Sequence, residues 1–142
     1  MRWLNPRLSG RFRSEGKPGE LVLVLTTIGR KTGEAHKTPL QYELVEGVFY
    51  VASARGQKAD WYRNILSNPE VIVEIEGKGI SARAEAITDP VPIADFLELR
   101  LRRHPGMIKI LLRLDGLPFK YTRPEMEEFA SQKAIVALHP LP

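Results

Sequence analysis

The sequence contains no cysteine. This absence excludes disulfide bonds, zinc–thiolate sites and thiol catalysis, and it is compatible with a reducing compartment. No window approaches about 18 apolar residues without a charge, so no membrane-spanning helix is expected. Residues 1–8 also lack the apolar core of a signal peptide. These absences predict a cytoplasmic location, and they leave open a peripheral contact of residues 3–12 with a membrane.

Recognisable catalytic motifs are also missing. The three histidines, His36, His104 and His139, are far apart and none has a second ligand at helical spacing, so no metal site is predicted. The chain has no nucleophile elbow, no glycine-rich dinucleotide fingerprint and no Walker loop. The side chains therefore offer no evident nucleophile. If the protein is an enzyme, a bound cofactor is expected to carry the reaction.

Length and composition fit one folded domain. The chain has 142 residues, of which 43% are hydrophobic and 27% charged, so it can bury a proper core. The formal net charge is +4. This positive excess predicts an anionic partner, and nucleic acid, acidic lipid and a phosphorylated or polycarboxylate cofactor all fit it.

The hydrophobic pattern predicts a mostly β protein with helices. Apolar or alternating segments end at glycine, proline or charged residues, and apolar residues after Pro90 recur at helical spacing. Thr122 and Glu125 form a capping-box pattern. Hairpins followed by helices favour one domain over residues 1–142, a small six-stranded β-barrel with an arm over 1–20 and a helical segment over 91–131. The predicted strands cover residues 21–28, 37–45, 48–54, 71–76, 80–87 and 134–138, and a short helix covers 59–67.

The first predicted turn, Gly29-Arg30-Lys31-Thr32-Gly33, carries two adjacent cations between glycines. Glycine allows positive φ and the close approach of an anion, which guanidinium and ammonium groups then bind. An ordinary solvated turn has the same composition. In an antiparallel meander, however, this turn and the end of the third strand share one end of the sheet. Such a mouth would suit a ring-bearing anionic cofactor, with scattered surface charge as the alternative. The residues expected there are His36, Lys37, Ser53, Arg55, Lys58, Trp61, Tyr62 and Asn64.

A second group of cations follows Pro90. Its neighbours along the predicted helices are apolar, which is typical of a polar helix face, and contact with acidic lipid or nucleic acid is the alternative. No recognised nucleic-acid motif accompanies it, so no nucleic-acid partner is expected. The group consists of Arg100, Arg102, Arg103, His104, Lys109 and Arg113.

Taken in order, several motifs resemble the deazaflavin-dependent nitroreductase and quinone reductase family. The match covers residues 21–89, and the combination of motifs at family-like spacing is specific. It consists of Leu25-Thr26-Thr27-Ile28-Gly29-Arg30-Lys31-Thr32-Gly33, Thr38-Pro39-Leu40, Val51-Ala52-Ser53 with Gly56, Trp61-Tyr62-Arg63-Asn64-Ile65, Asn68-Pro69-Glu70-Val71 and Ala82-Arg83-Ala84.

The resemblance implies a six-stranded split β-barrel, of the FMN-binding split-barrel type, that binds reduced coenzyme F-420. This coenzyme is a 5-deazaflavin with a phosphate and an oligoglutamate tail. Family members are oxidoreductases that pass a hydride from it to quinones, nitroaromatics or activated alkenes. The implied partner is thus a small-molecule electron acceptor, and the oligomeric state stays open. The same fold with FMN is the closest alternative, and a noncatalytic cofactor carrier or basic binding module is a third.

By position, the resemblance places the cofactor at the first turn and at the loop and helix after the third strand. Arg30 and Lys31 would hold the phosphate or tail. His36 stands where family members often have arginine. The catalytic residue is unknown, and Tyr121 is the candidate, because studied members place tyrosines over the substrate pocket. The implied cofactor-binding residues are Arg30, Lys31, His36, Lys37, Thr38, Pro39, Ser53, Arg55, Gly56, Trp61 and Asn64.

Overall fold

The computed structural model describes residues 22–142, which form a closed six-stranded antiparallel β-barrel and four α-helices. The predicted class, mostly β with helices in a six-stranded barrel, is confirmed. The predicted arm over 1–20 and the segment 3–12 lie outside the described residues. The strands are β1 (Val22–Ile28), β2 (Ala35–Val45), β3 (Val48–Ser53), β4 (Glu70–Ile75), β5 (Lys78–Ile87) and β6 (Ala134–Pro140). The helices are α1 (Asp60–Ser67), α2 (Pro90–Arg103), α3 (Pro105–Leu114) and α4 (Arg123–Ala130), and a 3-10 turn covers Gly56–Lys58.

The strands follow the closed order β1-β2-β3-β6-β5-β4 around the barrel. The β2–β3 and β4–β5 hairpins turn at Glu46-Gly47 and Glu76-Gly77, where φ lies between 51° and 81°. Positive φ at both central residues matches the right-handed twist of the flanking strands, as in type I′ hairpins. After the helices, β6 returns to pair with β3 on one side and β5 on the other. This last strand closes the barrel.

Two apolar cores lie on opposite sides of the barrel wall. Along β6, Ala134, Val136 and Leu138 belong to the core inside the barrel. The alternate residues Ile135 and Ala137 belong to a second core, which the helices share. Because successive side chains of a strand point to opposite faces, a strand covered on both sides must be apolar throughout. The continuous apolar run 134–138 therefore follows from its position between the two cores.

Side-chain caps fix the starts of two of the helices. Asp89 accepts a hydrogen bond from the Val91 N–H and so caps α2. Thr122 and Glu125 form the predicted capping box of α4. His104 separates α2 from α3, because Pro105 favours a helix start and disfavours helical φ and ψ in the residue before it. Within residues 22–142, no helix is long and apolar enough to span a membrane.

A fully buried carboxylate joins the helices to the barrel. Glu43, on β2, has no exposed surface, and its two oxygens contact Arg100, Arg103 and His104 at 3.0–3.1 Å. These three residues come from the second group of cations, which the sequence predicted to form one polar helix face. For them that prediction is wrong, since a buried carboxylate holds them at the packed side of α2.

Candidate functional site

Helix α1 covers one end of the barrel. Trp61, Tyr62 and Ile65 are buried in the core inside the barrel, so one face of α1 is fixed by apolar packing. The antiparallel order places the β1–β2 turn at this same end, together with the end of β3. The topology therefore directs the first turn and the end of β3 toward the same end of the barrel, although Ser53 and Arg55 do not line the cleft at that end.

A cleft of about 460 Å³ lies between the β1–β2 turn and α1. Most of the predicted cofactor-binding residues line it, which makes it the natural candidate site. It combines cations, hydroxyl groups, an amide and an indole ring, a set suited to an aromatic anion. The lining residues are Thr27, Gly29, Arg30, Lys31, Thr32, His36, Lys37, Thr38, Asp60, Trp61 and Asn64.

The turn is shaped by glycine. The Gly29 N–H donates to the Glu34 carbonyl at 2.7 Å, and the Gly33 N–H donates to the Gly29 carbonyl at 2.9 Å. Gly33 has a φ of +75°, which glycine adopts without strain. A Cβ at Gly29 would lie 2.9 Å from His36 Nε2 and 3.0 Å from Thr32 Oγ1, so these side chains would have to move to admit it. The turn and the start of β2 are thus fitted together at the cleft.

Arg30 is bound to α1. Its backbone N–H and its Nη1 donate to Asn64 Oδ1 at 3.2 and 2.8 Å. Its Nη2 lies 3.2 Å from Asp60 Oδ1, and its Nη1 lies 3.4 Å from the Asp60 carbonyl oxygen. Asn64 is itself buried and donates a long hydrogen bond, 3.4 Å, to Thr27 Oγ1. Hydrogen bonds of the Arg30 side chain with Asn64 and Asp60 therefore hold the β1–β2 turn against α1.

The other two strong cations of the cleft differ in their partners. Lys37 Nζ forms an ion pair with Glu74 Oε1 at 3.0 Å on the barrel wall. Lys31 is exposed, and no carboxylate of residues 22–142 forms an ion pair with it. Lys31 is therefore the cation at this cleft whose charge the described residues leave uncompensated, so it is free to meet an anion.

Four predicted cofactor-binding residues lie outside the cleft. Ser53 is buried, and its hydroxyl donates to the Gly56 carbonyl at 2.6 Å, which closes the loop after β3. Gly56 has a φ of +58°, and a Cβ there would meet the Gln132 carbonyl at 3.1 Å. Arg55 is exposed on this loop, and Pro39 pairs with Val24 in the middle of β2. The structure does not bring these four residues together with the other seven.

Tyr121 also lies away from the cleft. It packs against the core that the helices share and lines a separate pocket with Lys109, Arg113 and Phe119. Burial, and next the charge of Glu98, raise the pKa of its phenol above the ordinary value. Tyr121, the proposed catalytic candidate, therefore does not line the cleft.

The structure adds Thr27, Gly29, Thr32 and Asp60 to the lining of the cleft. The alternation of β1 carried the signal for Thr27, because Leu23 and Leu25 face inward and residue 27 continues that face. Asp60 lies four residues before Asn64 and so shares its helix face. Both positions follow from simple periodicity.

The fold and the cleft define a split-barrel protein with a cationic site at one barrel end. The family model described as F420H(2)-dependent quinone reductase matches residues 5–108. The chain belongs to this family. It is an oxidoreductase, and its cofactor is coenzyme F-420.

Solved structures share the fold at low identity. A conserved hypothetical protein, Rv2991 from Mycobacterium tuberculosis, is 17% identical with a TM-score of 0.62, and the alignment covers 97% of this chain and 81% of that one. A structure described as an F-420 reductase is 21% identical with a TM-score of 0.53, covering 87% and 88%. An F-420-H2 dependent reductase, FDR-A, is 17% identical with a TM-score of 0.53, covering 82% and 93%. At these identities the likeness concerns the fold alone.

Proposed function

We propose that this protein transfers a hydride from reduced coenzyme F-420 to a quinone, a nitroaromatic compound or an activated alkene, and that the coenzyme binds in the cleft between the β1–β2 turn and α1. The observation that carries the proposal is the charge of Lys31, which no carboxylate of residues 22–142 compensates, at a cleft whose opposite wall is α1. The coenzyme's phosphate and glutamate tail supply the anions that such a cation requires.

The donors of the cleft fit an anionic, ring-bearing molecule. Lys31 offers an ammonium group, and Thr32 and Thr38 offer hydroxyls. Trp61 offers an apolar aromatic surface, although most of its ring is buried against the barrel core. Among residues 22–142, Asp60 is the one carboxylate in the lining, and it forms an ion pair with Arg30. The net charge of the cleft lining is therefore positive, as binding of an anionic cofactor requires.

Each residue has a distinct proposed role. When bound, the coenzyme supplies the hydride. Lys31 binds an anionic group of the coenzyme, and His36 adds a donor beside it. Arg30 holds the turn in place through Asn64, so that the donors of the turn are oriented before binding. Trp61 and the rest of α1 form a fixed wall that keeps the deazaflavin ring of the coenzyme in one position.

The experiment has two stages. Titration of the purified protein should quench the fluorescence of the coenzyme at micromolar or lower concentration. Reduced coenzyme is then mixed with a panel of quinones, nitroaromatics and activated alkenes, and its reoxidation is followed by absorbance. Copurification of FMN without binding of the deazaflavin would contradict the proposal. Binding without reoxidation by any acceptor would favour the noncatalytic carrier.

A further inference from the structure

Exposed apolar side chains are concentrated on and just after α3. Leu114 is 81% exposed, Ile110 62%, Phe119 54% and Leu111 46%. We call Ile110, Leu111, Leu114 and Phe119 the α3 surface. Monomeric proteins expose single apolar residues commonly, whereas several of them on one helix and the loop after it indicate a contact site.

Helix α3 is apolar on two faces. Ile108 and Leu112 are buried in the core that the helices share. Ile110 and Leu114 are four residues apart and form a second stripe, which faces solvent. Packing within the fold therefore explains the buried face, whereas the exposed stripe has no packing partner in residues 22–142.

The charge beside the α3 surface is positive. Lys109 Nζ lies 4.1 Å from the centre of the Phe119 ring, and the Arg113 guanidinium carbon lies 5.1 Å from it. Helix α3 contains no carboxylate. The acid that follows it, Asp115, forms an ion pair with Lys133. Apolar side chains thus stand beside two cations, Lys109 and Arg113, with which no carboxylate of residues 22–142 forms an ion pair.

This combination fits the interface of an acidic bilayer. An amphipathic helix with basic residues at its edge lies in the interface, with apolar side chains in the acyl boundary and cations at the headgroups. Ten residues of helix measure about 15 Å, which is half the thickness of the hydrocarbon core. Helix α3 is therefore suited to lie on a membrane and too short to cross it.

We propose that the α3 surface docks the protein on anionic phospholipid. Ile110, Leu114 and Phe119 insert into the interface, and Lys109 and Arg113 bind the headgroups. The proposal does not depend on the activity proposed above, because it uses none of the residues of the cleft.

Vesicle flotation tests the docking surface with the full chain. The protein should float with vesicles of phosphatidylcholine and phosphatidylglycerol, and far less with phosphatidylcholine alone. The double variant Ile110→Ser/Leu114→Ser should lower partitioning about tenfold or more, because two apolar side chains no longer enter the interface. Lys109→Gln/Arg113→Gln should weaken binding to the anionic vesicles only.

Leu66→Ser is the matched control. Leu66 is 58% exposed on α1, so the substitution removes a comparable apolar side chain from another face. Its partitioning should equal that of the wild type. Unchanged melting temperature and unchanged coenzyme binding should show that every variant is folded.

Three outcomes would overturn the proposal. The first is no flotation of the wild type. The second is equal flotation of the wild type and Ile110→Ser/Leu114→Ser, which would place the contact elsewhere on the chain. The third is a dimer in size-exclusion chromatography that the same substitutions dissociate, which would assign the surface to a second copy.

Discussion

Asn64 accepts two hydrogen bonds from Arg30, one from the backbone N–H at 3.2 Å and one from Nη1 at 2.8 Å. The two residues are 34 positions apart, so the pair joins the β1–β2 turn to α1. A buried amide oxygen thereby fixes both the backbone and the side chain of one turn residue. This relationship accounts for an ordered cleft wall built from an otherwise exposed turn.

Asn64→Ala should loosen the cleft. The substitution leaves two donors of Arg30 without their acceptor, and we expect a loss of about 1–3 kcal/mol in the free energy of unfolding. The dissociation constant of the coenzyme should rise with it, because the turn is no longer held in place. Urea denaturation and fluorescence titration measure the two effects. Ser67→Ala, at the exposed end of the same helix, is the control and should change neither quantity. Equal results for the two variants would refute the role of Asn64.

Gly29→Ala should disturb the turn through His36. A methyl group at Gly29 would lie 2.9 Å from His36 Nε2, so the imidazole must move. His36 is exposed and its imidazole can rotate away, so we expect a destabilisation of about 1 kcal/mol or less, below that of overpacking in a core. His36→Ala in the same chain should restore most of that loss.

Gly33→Ala provides the contrast. Gly33 has a φ of +75°, and a Cβ there meets nothing within 4 Å. Gly33→Ala should lower the free energy of unfolding by about 1 kcal/mol, through the backbone conformation alone. His36→Ala should not restore this loss. A double-mutant cycle for each glycine gives the coupling energies. Coupling of equal size at both glycines would contradict this account.

Glu43→Ala should be among the most damaging single substitutions. It leaves Arg100, Arg103 and His104 beside a cavity that holds no counter-charge. Breaking a buried ion pair from one side costs about 3–5 kcal/mol. Chemical denaturation should show this loss, whereas Arg102→Ala, an exposed neighbour on α2, should stay within about 0.5 kcal/mol. A loss below 1 kcal/mol for Glu43→Ala would mean that the cluster does not hold α2 on the barrel.

Tyr50 should make stability fall at alkaline pH. Burial, followed by the charges of Glu85 and Glu46, raises the pKa of its phenol above the ordinary value of about 10. The neutral phenol therefore stabilises the fold fully below about pH 10, and this contribution is lost as pH rises toward the folded pKa. Above about pH 10, the free energy of unfolding of the wild type should fall more steeply with pH than that of Tyr50→Phe. The two slopes should differ by up to about 1.4 kcal/mol per pH unit. Denaturation curves between about pH 9 and 11.5 measure both slopes, and parallel slopes would contradict the assignment.

The fold was largely predictable from local patterns. The apolar run 134–138, the Glu46-Gly47 turn and the Thr122 capping box each depend on neighbouring residues, and each lies where its pattern indicated. The order of hairpins and helices predicted a small barrel, and the family resemblance specified the split-barrel type. Strand ends shifted by one or two residues, as fraying ends commonly do.

Long-range ion pairs and hydrogen bonds could not be predicted from the sequence. Nothing near Glu43 in the chain indicates that residues 57–61 positions away neutralise it. In the same way, Arg30 was predicted to bind the cofactor's anions, and only the folded chain shows that Asn64 and Asp60 already engage it. Charge and composition predict that a site binds anions, but the distribution of that charge between structural and free groups depends on tertiary contacts.

The most direct measurement compares coenzyme binding by Lys31→Ala and Lys78→Ala. Both variants remove one exposed lysine, and Lys78 begins β5 at the opposite end of the barrel. A charge-assisted contact is worth about 1.5–3 kcal/mol, so Lys31→Ala should raise the dissociation constant of coenzyme F-420 about ten- to hundredfold. Lys78→Ala should stay within about twofold of the wild type, because screening at physiological salt suppresses charge effects across the barrel. Equal dissociation constants for the two variants, with both folded, would contradict the assignment of the cleft.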